Sequence, residues 1–76
     1  SFLEELRLLQ SIHSLISKRG TGCTYNLTSR YGISRATVLR KINLLRAMGA
    51  EIYFCRERQS YCYKEKFELN LESLIF

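Results

Sequence analysis

The residues best placed to do chemistry in this 76-residue chain are its basic side chains. After Glu5 the next acidic residue is Glu51, so the charged side chains between them are all cationic. The basic residues of this stretch are Arg7, Lys18, Arg19, Arg30, Arg35, Arg40, Lys41 and Arg46. The net charge of +5 therefore has its source in the middle of the chain. A polyanion is the natural partner of such a stretch, although basic side chains also form the ordinary solvated surface of soluble proteins.

Residues suited to catalysis are scarce. The chain contains no Asp and its acids cluster towards its two ends, so a Ser-His-Asp arrangement would have to use a Glu. His13, the single histidine, falls on the apolar side of a predicted helix, where packing is a better interpretation than catalysis. No phosphate-binding loop, dinucleotide fingerprint or metal-ligand spacing occurs. We predict that the protein is not an enzyme and uses no cofactor, metal or small-molecule ligand.

Cysteine usage and hydropathy favour a reduced, aqueous compartment. Cys23, Cys55 and Cys62 are odd in number and lack Cys-x-x-Cys spacing, so neither a disulfide framework nor a zinc site is indicated. The longest apolar run, 52–55, is far shorter than the roughly 20 residues of a membrane-spanning helix. Two early glutamates and no basic leader argue against a secretory signal. We predict a cytoplasmic protein that does not contact a membrane.

Two amphipathic segments in the first half of the chain are predicted to be helices. Residues 2–19 place apolar side chains at helical spacing over about half of the circumference, and the following Gly-Thr-Gly sequence ends the helix. Thr24 is predicted to cap a second, short helix over residues 25–31 that ends at Gly32.

A third helix is predicted over residues 34–48, with Ser34 as its cap and Gly49 as its stop. Its apolar side, which is expected to face the core, comprises Val38, Ile42 and Leu45. The opposite, outward side comprises Arg35, Ala36, Leu39 and Arg40. Hydroxyls at Ser34 and Thr37, together with free N–H groups and the positive end of the helix dipole, can hold a phosphate.

Beyond Glu51 the hydrophobic period changes to two, which predicts a β-hairpin. The proposed register pairs Phe54 with Tyr63 and Cys55 with Cys62, leaving a polar, basic loop that contains Arg56 and Arg58. The residues expected on the core side are Ile52, Phe54 and Tyr63. A further alternation at Phe67, Leu69 and Leu71 allows a third short strand.

The turn Tyr31-Gly32-Ile33-Ser34 joins two short helices in the manner of a helix-turn-helix. Residues 27–52 closely resemble the winged helix-turn-helix of DeoR-type and biotin-repressor-type bacterial regulators, and the order of elements matches over residues 3–64. The positions that fit the family pattern in register are Gly32, Ser34, Arg35, Thr37, Val38, Arg40, Ile42, Leu45, Arg46, Gly49 and Ile52. Where such domains usually carry a Gly-Tyr dipeptide that closes the wing, this chain has Ser60 in place of the glycine.

The resemblance implies a mainly α domain with a β-hairpin (α+β) over residues 1–66, three helices followed by a two- or three-stranded antiparallel wing. It implies sequence-specific binding of duplex DNA and a role in transcription regulation, with helix 34–48 in the major groove and the hairpin loop on the minor groove or backbone. The residues expected to contact DNA are Ser34, Arg35, Ala36, Thr37, Leu39, Arg40, Lys41, Arg56 and Arg58. Glu57, between the two loop arginines, weakens the case for the loop.

Excess apolar surface predicts a homodimer formed by the first helix and a C-terminal strand or tail over residues 67–76. The candidate contact residues are Phe2, Leu8, Leu15, Leu74 and Phe76, which can alternatively just cover the monomer core. Two other interpretations stay open: a winged-helix module that binds protein instead of DNA, and a DNA-binding fragment of a longer regulator with a sensor domain.

Overall fold

The computed structural model describes residues 1–70, which form three helices followed by an antiparallel hairpin. The helices are α1 (Phe2–Ser17), α2 (Thr24–Tyr31) and α3 (Arg35–Ala47), and the strands are β1 (Ile52–Cys55) and β2 (Ser60–Tyr63). The predicted α+β order of three helices and a hairpin is thereby confirmed. None of the helices in residues 1–70 is long and apolar enough to cross a bilayer.

Local hydrogen bonds set where α2 and α3 begin. Ser34 caps α3 as predicted, since its hydroxyl accepts the N–H three residues further along at 3.1 Å. The prediction that Thr24 caps α2 is wrong. Cys23 holds that position, and its N–H donates to the Asn26 side chain at 2.9 Å. Thr24 is instead the first helical residue, and its hydroxyl lies 2.7 Å from the hydroxyl of Tyr61 on β2.

The end of α1 differs from the prediction. The helix stops at Ser17, and Arg19 takes the left-handed conformation with φ of 58° that glycine usually supplies. The Arg19 N–H donates to the Ile16 carbonyl at 3.0 Å, and the Gly20 N–H donates to the Leu15 carbonyl at 2.9 Å. These two bonds close a Schellman motif, so the helix is stopped at an arginine one residue before the first glycine.

The hairpin forms with a register two residues away from the predicted one. Phe54 lies opposite Tyr61, and Ile52 lies opposite Tyr63. Ile52 and Tyr63 are buried as expected, whereas the expectation that Phe54 faces the core is wrong: its ring is exposed and packs edge-on against Tyr61 at 5.1 Å. The shift shortens the loop to residues 56–59, with Gln59 in the left-handed region at φ of 52°.

Residues 64–70 form no third strand, so within the described residues the sheet is two-stranded. The ladder continues for one more bond, from the Lys64 N–H to the Glu51 carbonyl at 2.9 Å. Phe67 and Leu69 then turn onto the hydrophobic core instead of extending the sheet. Leu71, the last residue of the predicted alternation, lies outside the described residues.

The core is built by all three helices and the hairpin. The helices contribute three buried residues from α1 (Leu9, Ile12 and Ile16), one from α2 (Leu27) and three from α3 (Val38, Ile42 and Leu45), all at most 1% exposed. Ala50, Ile52 and Tyr63 complete the cluster. The predicted inward side of α3 is therefore confirmed.

Hydroxyl groups attach the hairpin to the connection between α1 and α2. The Thr21 N–H donates to the Ser60 hydroxyl at 3.0 Å, and the Tyr61 N–H donates to the Thr21 hydroxyl at 2.9 Å. Thr21 and Ser60 are both buried, and their hydroxyl oxygens lie 3.1 Å apart. Since buried polar groups are costly when unpaired, this matched set fixes β2 in one place.

An aromatic cluster of His13, Tyr63 and Phe67 holds the segment after β2 against α1. His13 Nδ1 and the Tyr63 hydroxyl are 2.7 Å apart, and the Phe67 ring lies 5.9 Å from the His13 ring and 5.3 Å from the Tyr63 ring. Burial lowers the pKa of His13 and raises the pKa of Tyr63 to about 12. His13 is therefore a packing residue with a hydrogen-bond partner.

Candidate nucleic-acid interface

The outward face of α3 is the solvent-exposed side opposite its core residues. Its members, all exposed, are Ala36, Leu39, Arg40, Asn43 and Ala47. Arg40 lies on this face as predicted, as do Ala36 and Leu39. Asn43 and Ala47 were not among the predicted site residues, although continuing the helical spacing from Ala36 and Arg40 would have found them. Neither α3 nor its cap contains an acidic residue.

A chain of hydrogen bonds that begins at the helix cap orients Arg40 on this face. The Ser34 hydroxyl lies 3.0 Å from the Thr37 hydroxyl, which in turn accepts a bond from Arg40 Nη2 at 3.2 Å. The hydroxyls that were predicted to hold a phosphate therefore cap the helix and position a guanidinium. First-turn N–H groups that lack intrahelical partners still give this end a positive potential.

Arg35 lies on a different side of α3 from Arg40. Five positions separate the two residues, which places them about 140° apart around the helix axis. Arg35 lines a cavity of about 340 Å³ together with residues at the start of α2, namely Cys23, Thr24, Tyr25 and Thr28. Tyr25 is one of the most exposed large side chains of the chain that the structure describes. Sequence reasoning did not foresee this neighbourhood, because it depends on how α2 packs against α3.

Two further basic residues of α3, Lys41 and Arg46, lie away from the centre of the outward face. Lys41, a predicted contact residue, is half-buried on the flank of α3 and not on its outward face. Arg46 Nη2 donates to the Ile52 carbonyl at 3.0 Å, and Nη1 donates to the Asn43 side chain at 3.1 Å. Arg46 thus joins the end of α3 to β1 and fixes the hairpin relative to the outward face.

The hairpin loop exposes the two predicted arginines, Arg56 and Arg58, with Glu57 between them. Gln59 closes the loop, since its side-chain amide donates to the Arg56 carbonyl at 2.7 Å. The left-handed residue is Gln59 and not Ser60, which is buried in β2. Ser60, which stands where winged helix-turn-helix domains usually carry a glycine, is therefore compatible with a closed loop.

The basic side chains of this surface keep their charge unpaired within residues 1–70. The ion pairs formed there join Ser1 to Glu4, Glu51 to Lys64 and Lys66 to Glu68. No carboxylate in this part of the chain neutralises Arg35, Arg40, Arg56 or Arg58. The arrangement favours binding of an extended anion across this surface. Among the described residues, no group of His, Cys, Asp or Glu lies close enough together to hold a metal.

No family model, no curated protein and no solved structure matches this chain. The partner of the surface therefore has to be inferred from the chemistry of its own residues.

Proposed function

We propose that this chain is a winged helix-turn-helix domain that binds duplex DNA in a sequence-specific way and serves in transcription regulation in the cytoplasm. The order of three helices and a hairpin is compatible with that fold. The turn between α2 and α3 supports it, since Gly32 has the positive φ of 63° that a short helix stop requires. In this proposal α3 enters the major groove, and the hairpin loop is the wing.

The observation that carries the proposal is the acid-free, exposed outward face of α3, together with an exposed hairpin loop that carries two arginines without ion-pair partners. Arg40, oriented by Thr37, is positioned to reach a base edge or a flanking phosphate. Arg35, the first residue of α3, is turned towards the start of α2, and a phosphate contact is the better assignment for it. Arg56 and Arg58 reach the neighbouring groove or backbone.

Binding to random duplex DNA, measured by fluorescence anisotropy over a range of salt concentrations, tests this function. Each phosphate contact releases counterions, so the logarithm of the affinity should fall with the logarithm of salt with a slope of about −0.9 per contact. Three to five contacts predict a slope of about −3 to −4.5. Absence of binding at low salt and micromolar protein would contradict the proposal and favour the protein-binding alternative.

We also propose that the domain forms a homodimer through the first turn of α1. Phe2 and Leu3 are 58% and 65% exposed there, although Phe2 lies on the same side of the helix as the buried Leu9. Of the other predicted contact residues, Leu8 and Leu15 pack against the core. Leu74 and Phe76 lie outside the described residues.

A dimer would read two half-sites about one helical turn apart and so gain affinity. Sedimentation at micromolar concentration should show a dimer that Phe2→Glu dissociates while the circular dichroism spectrum is retained. A monomer of 8.9 kDa, both free and with DNA, would contradict the dimer.

A further inference from the structure

The outward face of α3 carries a short apolar stripe beside Arg40 and Asn43. Ala36 and Leu39 are one helical turn apart and exposed, and Leu39 keeps 36% of its surface accessible. Asn43 follows one turn later on the same side. Leu39 therefore exposes apolar surface on the side of α3 that is proposed to contact DNA, where a polar residue would be better solvated.

In the major groove, the apolar group at a base edge is the C5 methyl of thymine. We propose, on the basis of the DNA-binding function above, that Leu39 together with Ala36 reads the thymine methyl groups of A·T base pairs. Asn43 lies where its side-chain amide can meet adenine, since this side-chain type pairs with the N6 and N7 edge of that base.

The charges around Leu39 favour a thymine methyl group of duplex DNA, and not an apolar protein surface, as the group that contacts Leu39. Arg40 is exposed on the same face with no carboxylate beside it, and α3 has no acidic residue that could attract a basic partner. In duplex DNA, the thymine methyl lies in a groove that is flanked by phosphates, and the arginines can neutralise those phosphates. A partner that buried Leu39 without supplying anions would leave Arg40 desolvated and unpaired.

The chain offers a matched control on the same helix. Leu44 is 39% exposed, close to the 36% of Leu39, and lies five positions further along, about 140° away around the axis. Leu44→Ala therefore removes the same atoms from the same helix, with similar exposure, but on the side that follows Arg40 by one turn, away from the Leu39 side to which the thymine methyl is assigned.

The experiment starts from the duplex that the protein enriches most strongly from a random pool. Its affinity is measured with thymine and then with deoxyuridine, which lacks only the methyl, at each position in turn. Loss of one buried methyl should weaken binding about threefold to fivefold at one or two positions. Leu39→Ala should weaken binding to the thymine duplex by a similar factor and abolish the difference between thymine and deoxyuridine, whereas Leu44→Ala should retain it.

Each other outcome overturns a defined part of the proposal. Tight binding without any effect of deoxyuridine overturns the methyl readout and leaves the proposed function standing. If Leu39→Ala weakens binding equally on the thymine and deoxyuridine duplexes, so that the thymine preference survives, Leu39 has a packing role and the methyl readout is overturned. If the native chain binds no duplex, the proposed function fails, and this inference fails with it. Circular dichroism verifies that both variants are folded at the measuring temperature.

Discussion

The inward and outward sides of α3 contrast sharply although they share one helix. Val38, Ile42 and Leu45 are at most 1% exposed and belong to the hydrophobic core. On the outward side, Arg40 and Asn43 bond only to other side chains of the same helix, at Thr37 and Arg46. The inward side determines whether the domain folds, while the outward side is exposed to solvent and contributes little to the core. Substitutions on the two sides should therefore separate stability from binding.

The largest expected effect belongs to the inward side. Ile42→Ala should lower the free energy of unfolding by about 2–5 kcal/mol, because it removes buried methyl groups and leaves a cavity. That loss is a large part of the roughly 5–15 kcal/mol typical of a whole domain. Urea denaturation measures it. Leu44→Ala, at an exposed position of the same helix, should stay within about 0.5 kcal/mol of the native chain, and equal losses in both variants would remove the contrast.

On the outward side the expected loss is in binding. Arg35→Ala and Arg40→Ala should each weaken duplex DNA binding by about 1–3 kcal/mol if the residue contacts a base edge. A phosphate contact would instead weaken all sequences alike and reduce the salt slope by about 1. The unfolding midpoint should hardly change. Because Arg7→Ala removes one charge from the exposed surface of α1, it is the control, and a double Arg35, Arg40 variant with unchanged affinity would contradict the assignment.

Acid should destabilise the domain through the aromatic cluster of His13, Tyr63 and Phe67 and not through the outward face of α3. Burial lowers the pKa of His13 below its ordinary value of 6.5, so the unfolded chain takes up this proton first as the pH falls. The contribution of His13 to stability is therefore complete above about pH 6.5 and is lost progressively below it. Melting temperatures measured across this range should fall more in the native chain than in His13→Gln. Parallel curves for the two proteins would show that another group is responsible.

What the sequence predicted correctly depends on local patterns. Val38, Ile42 and Leu45 follow helical spacing, and Ser34 is a cap by residue type and position, so neighbours along the chain suffice to identify them. Gly32 likewise marks the end of α2 through its own backbone freedom. Local spacing and residue type are therefore enough to predict the inward side of α3 and part of its outward face.

What the sequence missed depends on contacts between remote segments. The bonds between Thr21 and Ser60, which are 39 positions apart, hold β2 against the connection between α1 and α2, and neither residue is remarkable in the sequence. The cavity beside Arg35 exists only because α2 packs against α3. Leu8 has the spacing of a dimer contact, but the core covers it. Alternation alone fixes neither register nor burial, since several pairings satisfy it equally well.

The smallest expected effect concerns the loop that carries Arg56 and Arg58. Gln59 adopts φ of 52°, a conformation that disfavours side chains with a Cβ, and its amide bond to the Arg56 carbonyl stabilises the loop. Gln59→Gly and Gln59→Ala both lose that bond, but only glycine relieves the backbone strain. Glycine should therefore give the more stable variant by about 1 kcal/mol, measured by urea denaturation.

The two Gln59 variants also test whether the strained backbone serves binding. If the loop conformation matters only for closing the hairpin, Gln59→Gly keeps Arg56 and Arg58 where they are, and its duplex affinity equals that of the native chain. Equal stability of the glycine and alanine variants would contradict the left-handed conformation at this position. A selective loss of DNA affinity in the glycine variant, at unchanged stability, would instead place Gln59 with the outward face of α3 as part of the contact surface.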